Sequence, residues 1–178
     1  MSVLTTLLSR SSTKQIQGPG PSAEEIQQIL ATAMCAPDHG RLRPWRFKLI
    51  QGQAIAQLTE LAVHTLHDEG KPLEPTKEKN MRAWLAQAPL VIAVASYVDH
   101  SNDRIPEHER MLATGAAVMN ILNAAHAFGS GAFWSTGIGT YTQGVPLALG
   151  FDPLEYDFLG FVVIGTLSAP LVAKERPA

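Results

Sequence analysis

The chain has 178 residues, 46% of them hydrophobic, with 14 lysines and arginines against 16 aspartates and glutamates, for a net charge of −2. These values suit one folded domain spanning residues 1–178 and exclude a disordered chain. A nucleic-acid partner is disfavoured because it would require a basic excess. Only 17% of residues are charged, against roughly 25% in an average domain. We therefore expect a partner or a ligand to cover part of the surface.

The single cysteine, Cys35, excludes an internal disulfide and a thiolate metal site, and it favours a location in the reducing cytoplasm. Cys35 follows a predicted helix and is expected to be a small buried residue. The six histidines lack partners at the spacing of metal ligands, so we predict no metal site. The first ten residues lack the basic region of a signal peptide, so we expect none to be removed.

The first third of the chain predicts two helix-like segments separated by a loop. Residues 3–9 form an amphipathic stretch with apolar side chains on one side. Residues 13–21 are rich in glycine and proline, which is typical of a loop. Ser22 and Glu25 have the spacing of a helix N-terminal capping box. Apolar residues then recur at helical spacing until Pro37 ends the predicted helix.

The middle of the chain predicts two strands with a helix and an exposed loop between them. Residues 45–50 alternate apolar and basic side chains, as a strand does, and residues 53–67 have helical spacing. Residues 69–79 are charged and interrupted by two prolines, which predicts a loop or a mobile excursion. The uninterrupted apolar run at 90–97 predicts a strand covered on both faces.

The last third predicts one long helix and three short elements. Residues 107–128 start polar and then become apolar nearly all round, as in a helix that lies in a core or an interface. Four polar side chains in this helix would be costly in lipid, so we expect no membrane partner. A strand at 132–134, a short helix at 144–149 and an apolar strand at 158–164 follow. Interleaved helices and strands predict an α/β or α+β fold around one sheet.

The first candidate site combines two cations and two hydroxyls within five residues: Arg10, Ser11, Ser12 and Lys14. A guanidinium can bind a phosphate through two parallel hydrogen bonds, and hydroxyls can complete the shell. The segment therefore predicts an anion site. The alternative is that Arg10 only offsets the dipole at the C-terminus of the preceding helix.

A second candidate is the connection between a predicted helix and a predicted strand at residues 37–45. It contains His39, Arg41 and Arg43 around a glycine. Loops carry binding residues more often than their length alone predicts, so this segment is a candidate clamp for an anion or a cofactor. The alternative is a solvated connector in which His39 is merely hydrogen-bonded.

A third candidate is the segment 129–139, in which glycines and other small residues surround Trp134. Small residues let the backbone approach a flat ligand, and Trp134 offers an aromatic wall. The segment is not a dinucleotide-binding fingerprint, because its glycines follow a helix and the third glycine is missing. It predicts either a ligand loop or a plain turn between a helix and a strand.

Four stretches in a fixed order give the chain a family resemblance. They are LLSRSS at 7–12, APDHGRLRPWRF at 36–47, GAAVMNILNAA at 115–125 followed by GAFWSTG at 131–137, and FVVIGT at 161–166. Together they resemble the nitroreductase family of FMN enzymes, most closely its small, compact branch. The similarity covers nearly the whole chain. It implies an α+β three-layer sandwich, with a mixed central sheet flanked by helices, that forms a homodimer with FMN at two interface sites.

The resemblance also implies roles for the candidate residues. Arg10, Ser11 and Ser12 would hold the phosphate and ribityl chain of FMN, and Lys14 would lie near the pyrimidine end of the flavin ring. His39, with the neighbourhood of Cys35 and Arg41, would come from the other subunit. The residues implied to line the flavin are Trp134, Ser135, Thr136 and Gly137. Those implied to contact NAD(P)H are Ala124, Ala125, His126, Ala127, Phe128 and Gly129. Lys174 and Arg176 resemble a phosphate-binding pair of larger members.

The implied activity is that of an FMN-dependent NAD(P)H oxidoreductase. NADH or NADPH would reduce the flavin, and a small aromatic acceptor such as a nitroaromatic or a quinone would then be reduced in the same pocket, which gives ping-pong kinetics. Because the flavin carries the chemistry, no catalytic acid or base is expected from the protein. The alternatives are a flavin-binding dehydrogenase, a flavin-fragmenting relative, or a non-catalytic flavin sensor on the same fold.

The sequence departs from the family pattern at two places: the residues implied to bind the FMN phosphate, and the segment that covers the flavin in larger members. The usual Arg-Arg-Ser is replaced by Arg10-Ser11-Ser12, so one cation is missing. Larger members carry an extra helical excursion over the flavin, for which this chain has little room. Residues 69–79 are the candidate lid in this sequence.

Overall fold

The computed structural model describes residues 2–171 of the chain. In chain order the elements are α1 (Val3–Ser9), β1 (Ile16–Gln17), α2 (Ala23–Ala33), β2 (Trp45–Gln51), α3 (Gln53–Asp68), α4 (Pro75–Gln87), β3 (Leu90–Tyr97), α5 (Glu107–Ala127), β4 (Ser130–Ser135), α6 (Gly144–Ala148) and β5 (Tyr156–Leu167). A single 3₁₀ turn covers His39–Arg41. Across these described residues, no helix has the length and apolar character needed to cross a membrane.

The sheet is organised around β5, which pairs with β3, β4 and β1, while β2 pairs with β3. All of these pairs are antiparallel, so the mixed sheet expected from the resemblance is antiparallel within residues 2–171. For β2 and β3, the reason lies in the connection between them. Helix α3 carries the chain back along the sheet and α4 returns it, so β3 begins opposite the residue where β2 stops, with Leu90 paired to Gln51.

The sheet has a helical layer on each face, and β3 contributes to both cores. Leu90 and Ile92 point into a cluster formed with α2 and α5. Val91 and Ala93 point into a second cluster formed with α3, α4 and α6. This alternation explains the uninterrupted apolar run at 90–97, since a strand covered on both faces has no polar side. The three-layer α+β sandwich is confirmed.

Helix α4 was not predicted from the sequence. The loop expected at 69–79 extends only to Glu74, and α4 begins at Pro75. Proline is tolerated in the first helical turn because the amide N–H that it lacks would have no helical partner there. The proline that suggested a loop therefore marks a helix start. In α2, by contrast, the predicted capping box is present, with Ser22 Oγ accepting from the N–H of Glu25 and the Glu25 carboxylate accepting from the N–H of Ser22.

A close approach between β5 and the end of β4 requires a glycine at position 160. Gly160 has a φ of +95°, and a Cβ there would lie 2.4 Å from the carbonyl oxygen of Ser135. Gly160→Ala is expected to lower the free energy of unfolding by about 2–4 kcal/mol, measured by urea denaturation. The matched control is Gly150→Ala, where φ is +82° but no atom lies within 4 Å. It is expected to cost about 1 kcal/mol, and equal losses at the two positions would contradict the role of the clash.

Candidate functional site

The segment that follows α1 runs beside strand β4. Arg10 caps the C-terminus of α1 in an extended conformation, donating its N–H to the carbonyl of Thr6. The N–H of Thr13 donates to the carbonyl of Ala132 at 3.0 Å, which fixes the segment against β4. The Arg10 guanidinium donates to Ser12 Oγ at 3.5 Å. Arg10 therefore lies at the C-terminus of α1, as one alternative predicted, and its side chain is also close to Ser12, as the predicted anion site requires.

Lys14 extends over two aromatic rings. Its Nζ lies 4.7 Å from the centre of the Trp84 ring and 4.9 Å from that of Phe133, distances at which a cation is attracted to a ring face. The two rings pack edge to face with their centres 5.8 Å apart. The indole Nε1–H of Trp84 is buried and has no hydrogen-bond partner among residues 2–171. This arrangement places a positive charge beside α4 and β4.

A cavity of about 510 Å³ opens beside this cluster, and we name it the Lys14 cavity. It brings together Lys14, Ser135 and Gly137, three of the residues singled out from the sequence. Five further lining residues lie on α4 or just before it, and sequence reasoning missed them as site residues: Leu73, Lys77, Asn80, Met81 and Trp84. Ile138, from the candidate segment 129–139, also lines the cavity. A signal was present, since positions 77, 80, 81 and 84 have the spacing of one helix face.

Strand β4 places its residues alternately on the two sides of the sheet. Phe133 contacts Trp84, and Ser135 lines the Lys14 cavity, where its Oγ accepts from the N–H of Gly137 at 3.3 Å. The Trp134 side chain projects to the opposite side, where its indole Nε1 donates to the carbonyl of Leu159 at 2.8 Å. Thr136 is exposed in the turn after β4. Within this chain, then, Trp134 does not line the Lys14 cavity.

The C-terminal end of α5 meets α1 and Arg10. His126 Nε2 lies 2.8 Å from Ser9 Oγ. Ala124 and Ala127 line a second cavity, of about 530 Å³, between α1 and α5. The other residues of the stretch implied to contact NAD(P)H differ in exposure: Ala125 is buried, whereas Phe128 and Gly129 are exposed. This stretch therefore lies beside the Arg10 segment.

Burial lowers the pKa of His126, and the positive charge of Arg10 lowers it further. We expect NMR titration of the His126 ring to give a pKa below that of an unfolded-chain histidine, and Arg10→Ala to raise it. The lowered pKa also affects stability. As the pH falls below about 6.5, His126 is protonated in the unfolded state before it is protonated in the folded state. The contribution of neutral His126 to the free energy of unfolding is therefore present above that pH, and it is lost as the pH falls to the folded-state pKa. A His126 pKa that falls on loss of Arg10 would contradict the assigned repulsion.

The loop between α2 and β2 is held in an unusual backbone conformation. Arg41 and Arg43 have φ values of 55° and 47°, in the left-handed region that side chains other than glycine rarely adopt. Two contacts fix the loop: the N–H of Arg43 donates to Asp38 Oδ2, and His39 Nδ1 lies 2.6 Å from Glu109 Oε2. Such strain persists only where surrounding contacts enforce it, and it is common at functional sites.

Cys35 is exposed, and its predicted burial is wrong. It lies in the turn after α2, where Ala33 and Ala36 occupy the inward positions and leave the Cys35 side chain to point outward. Its Sγ donates to the carbonyl of Ala31 at 3.6 Å.

The candidate residues form two groups at opposite ends of α5. Glu109 binds His39 near the N-terminus of α5, and His126 lies beside Arg10 near its C-terminus. At 1.5 Å per residue, these two positions are about 26 Å apart. No cluster of potential metal ligands is found in residues 2–171. Lys174 and Arg176 lie outside the described residues.

Comparisons with known proteins agree on one family. The Nitroreductase family model matches residues 7–166. A protein of Haemophilus influenzae, named "Putative NAD(P)H nitroreductase", is 32% identical over 169 residues, which cover 93% of this chain and 89% of the relative. YdjA of Escherichia coli K12, with the same description, is 30% identical over 169 residues, which cover 93% and 88%.

Solved structures share the fold. A nitroreductase-like family protein from Bacillus cereus superposes with a TM-score of 0.86 at 21% identity, over 100% of this chain and 92% of that one. A protein from Desulfovibrio desulfuricans, determined in complex with FMN, superposes with a TM-score of 0.77 at 23% identity, over 99% and 92%. With the family match over most of its length and curated relatives at 30% identity or more, this chain belongs to the nitroreductase family.

Proposed function

We propose that the protein is an FMN-dependent NAD(P)H oxidoreductase that reduces small aromatic acceptors such as nitroaromatics and quinones, in a cytoplasmic setting. The observation that carries the proposal is the Lys14 cavity, in which a lysine pinned over two rings meets the small residues Ser135 and Gly137. The names of the curated relatives, and the FMN complex of the Desulfovibrio desulfuricans structure, support the same activity.

The residues around the Lys14 cavity fit the groups of FMN. A flavin has a flat ring with acceptor atoms at its pyrimidine end, and Lys14 offers a charged donor there beside the unpartnered indole N–H of Trp84. A flavin also has an anionic phosphate, and Arg10 with Ser12 supplies the guanidinium and hydroxyl chemistry that binds phosphate. Gly137 leaves room for a flat group, since a Cβ there would meet only Ser135 Oγ, at 3.7 Å.

When bound, FMN supplies the hydride transfer between NAD(P)H and the acceptor in two successive half-reactions. The protein's part is to bind and orient. Lys14 provides a positive charge that stabilises negative charge at the pyrimidine end of the ring. The face of α4 with Met81 and Trp84 supplies an apolar wall of the cavity. No acid or base from the chain is assigned to the reaction.

We propose that two chains build each site. Helix α5 exposes Leu112 and Met119, which are 70% and 46% accessible at a spacing of two turns, with Gly115 and Ala116 between them. A patch of this kind is typical of an obligate interface, which resembles a core cut in half. An antiparallel pairing of two α5 helices would bring the His39 end of one chain beside the Arg10 end of the other. This pairing would join the two groups that lie about 26 Å apart within one chain.

The visible spectrum of the purified protein tests the proposed function. We expect a yellow protein with the flavin absorbance of bound FMN, bleached anaerobically by NADH or NADPH and recoloured by a nitroaromatic or a quinone. A protein that stays colourless with added FMN would contradict the proposal. Bound flavin that neither nicotinamide reduces would favour a sensor, and reduction without acceptor turnover would favour a dehydrogenase or a flavin-fragmenting enzyme.

A further inference from the structure

One face of α4 lines the Lys14 cavity, and another face contacts α3. One face carries Lys77, Met81 and Trp84 into the Lys14 cavity. The opposite face is tied to α3 through Arg82, whose guanidinium binds Glu60 on α3 and, at 2.7 Å, Glu78 on α4. The contact between Arg82 and Glu60 joins α4 to α3 on a side of the helix away from the cavity.

The charge of the cavity is entirely positive among its described lining residues. Lys14 and Lys77 line it, and no aspartate or glutamate does. The nearest carboxylate in sequence, that of Glu78, is engaged by Arg82. The Lys77 side chain makes no hydrogen bond or ion pair with any residue between 2 and 171. Its ammonium group is therefore available to a ligand.

Lys14 and Lys77 line the cavity from different positions. Lys14 lies over Trp84, and Lys77 precedes Trp84 by seven residues, or about 10 Å along the helix axis. The Lys14 end is the part of the cavity assigned above to the flavin ring. Lys77, with the amide of Asn80 one turn further along, lies on the part of the wall that remains for a second ligand.

We propose that Lys77 and Asn80 form an anion subsite that selects aromatic acceptors carrying a carboxylate or a sulfonate. This inference rests on the proposed function, because it assigns the acceptor of that site. The ring of the acceptor lies against the apolar side chain of Met81, and its anionic group points to Lys77. Because a hydrogen bond between two charged groups is stronger than one to a neutral oxygen, neutral acceptors of the same shape gain less from Lys77.

A matched pair of acceptors tests the subsite. The ratio of kcat/KM for 4-nitrobenzoate to that for 4-nitrobenzamide is measured for the wild type, Lys77→Met and Lys77→Arg. We expect Lys77→Met to lower the ratio about 5- to 10-fold, as for one partly exposed charged hydrogen bond, and Lys77→Arg to restore most of it. Lys79→Met, which removes the same charge from the same helix away from the cavity lining, is expected to leave the ratio at the wild-type value.

Three results would overturn the proposal. They are an unchanged ratio in Lys77→Met, an equal loss in Lys79→Met, and an increase in KM for NADH or NADPH as large as that for 4-nitrobenzoate, which would assign Lys77 to the electron donor. Binding of 4-nitrobenzoate to the protein without added nicotinamide, followed by quenching of tryptophan fluorescence, gives a second readout. If the protein takes up no FMN, the proposed function fails, and this titration with wild type and Lys77→Met still decides the anion subsite.

Discussion

Loss of Arg10 and Ser12 together is expected to weaken FMN binding at least 100-fold. Hydrogen bonds to a charged group contribute about 1.5–3 kcal/mol each, and a bidentate guanidinium–phosphate pair is at the strong end of that range. Two lost partners therefore correspond to about 3–5 kcal/mol, or a factor of ~10²–10⁴ in Kd. The measurement is quenching of FMN fluorescence on titration with Arg10→Ala/Ser12→Ala.

The control for this double variant is Lys48→Ala, which removes an exposed positive charge from β2 at the edge of the sheet. Its affinity for FMN is expected to equal that of the wild type. The effect should depend on the phosphate, so riboflavin, which lacks it, should bind the double variant and the wild type almost equally. An FMN affinity within threefold of the wild type in the double variant would contradict the assigned phosphate grip.

Charges placed on the exposed face of α5 are expected to separate the two subunits and release the flavin. In Leu112→Asp/Met119→Asp, a two-fold interface would have to bury four carboxylates in apolar surroundings, a cost of several kcal/mol. Light scattering after gel filtration should then give the mass of one chain, 19.2 kDa, instead of twice that value. FMN affinity should fall at least 100-fold, because the His39 loop of the second chain would be lost from each site.

Leu154→Asp is the matched control for the interface variant. Leu154 is 76% exposed and lies in the segment between α6 and β5, outside the α5 face that carries Leu112 and Met119. We expect Leu154→Asp to remain a dimer with wild-type FMN affinity. A stable monomer that binds FMN as tightly as the wild type would contradict the two-chain site, and a wild type that is monomeric with bound FMN would do the same.

Some residues of the candidate site could be predicted from the sequence, and others could not. Arg10, Ser12 and Lys14 stand within five residues, so their chemistry could be recognised as a unit. Trp84 and Lys77 could not be assigned in this way, because their neighbours across the cavity are some 50 to 70 residues away in the chain. Such pairs meet only when α4 packs on α3 and the sheet.

The sequence by itself determined the elements whose cause is local. The capping box at Ser22 and the strands covered on both faces depend on residues that are close in the chain. Tertiary structure decided what depends on distant packing. Helix α4 reverses the path between β2 and β3 and makes their pairing antiparallel. Packing also leaves Cys35 exposed where burial was predicted, and it leaves Leu112 on α5 uncovered within this chain. Periodicity identifies an apolar face, whereas only the folded chain shows whether that face is already covered.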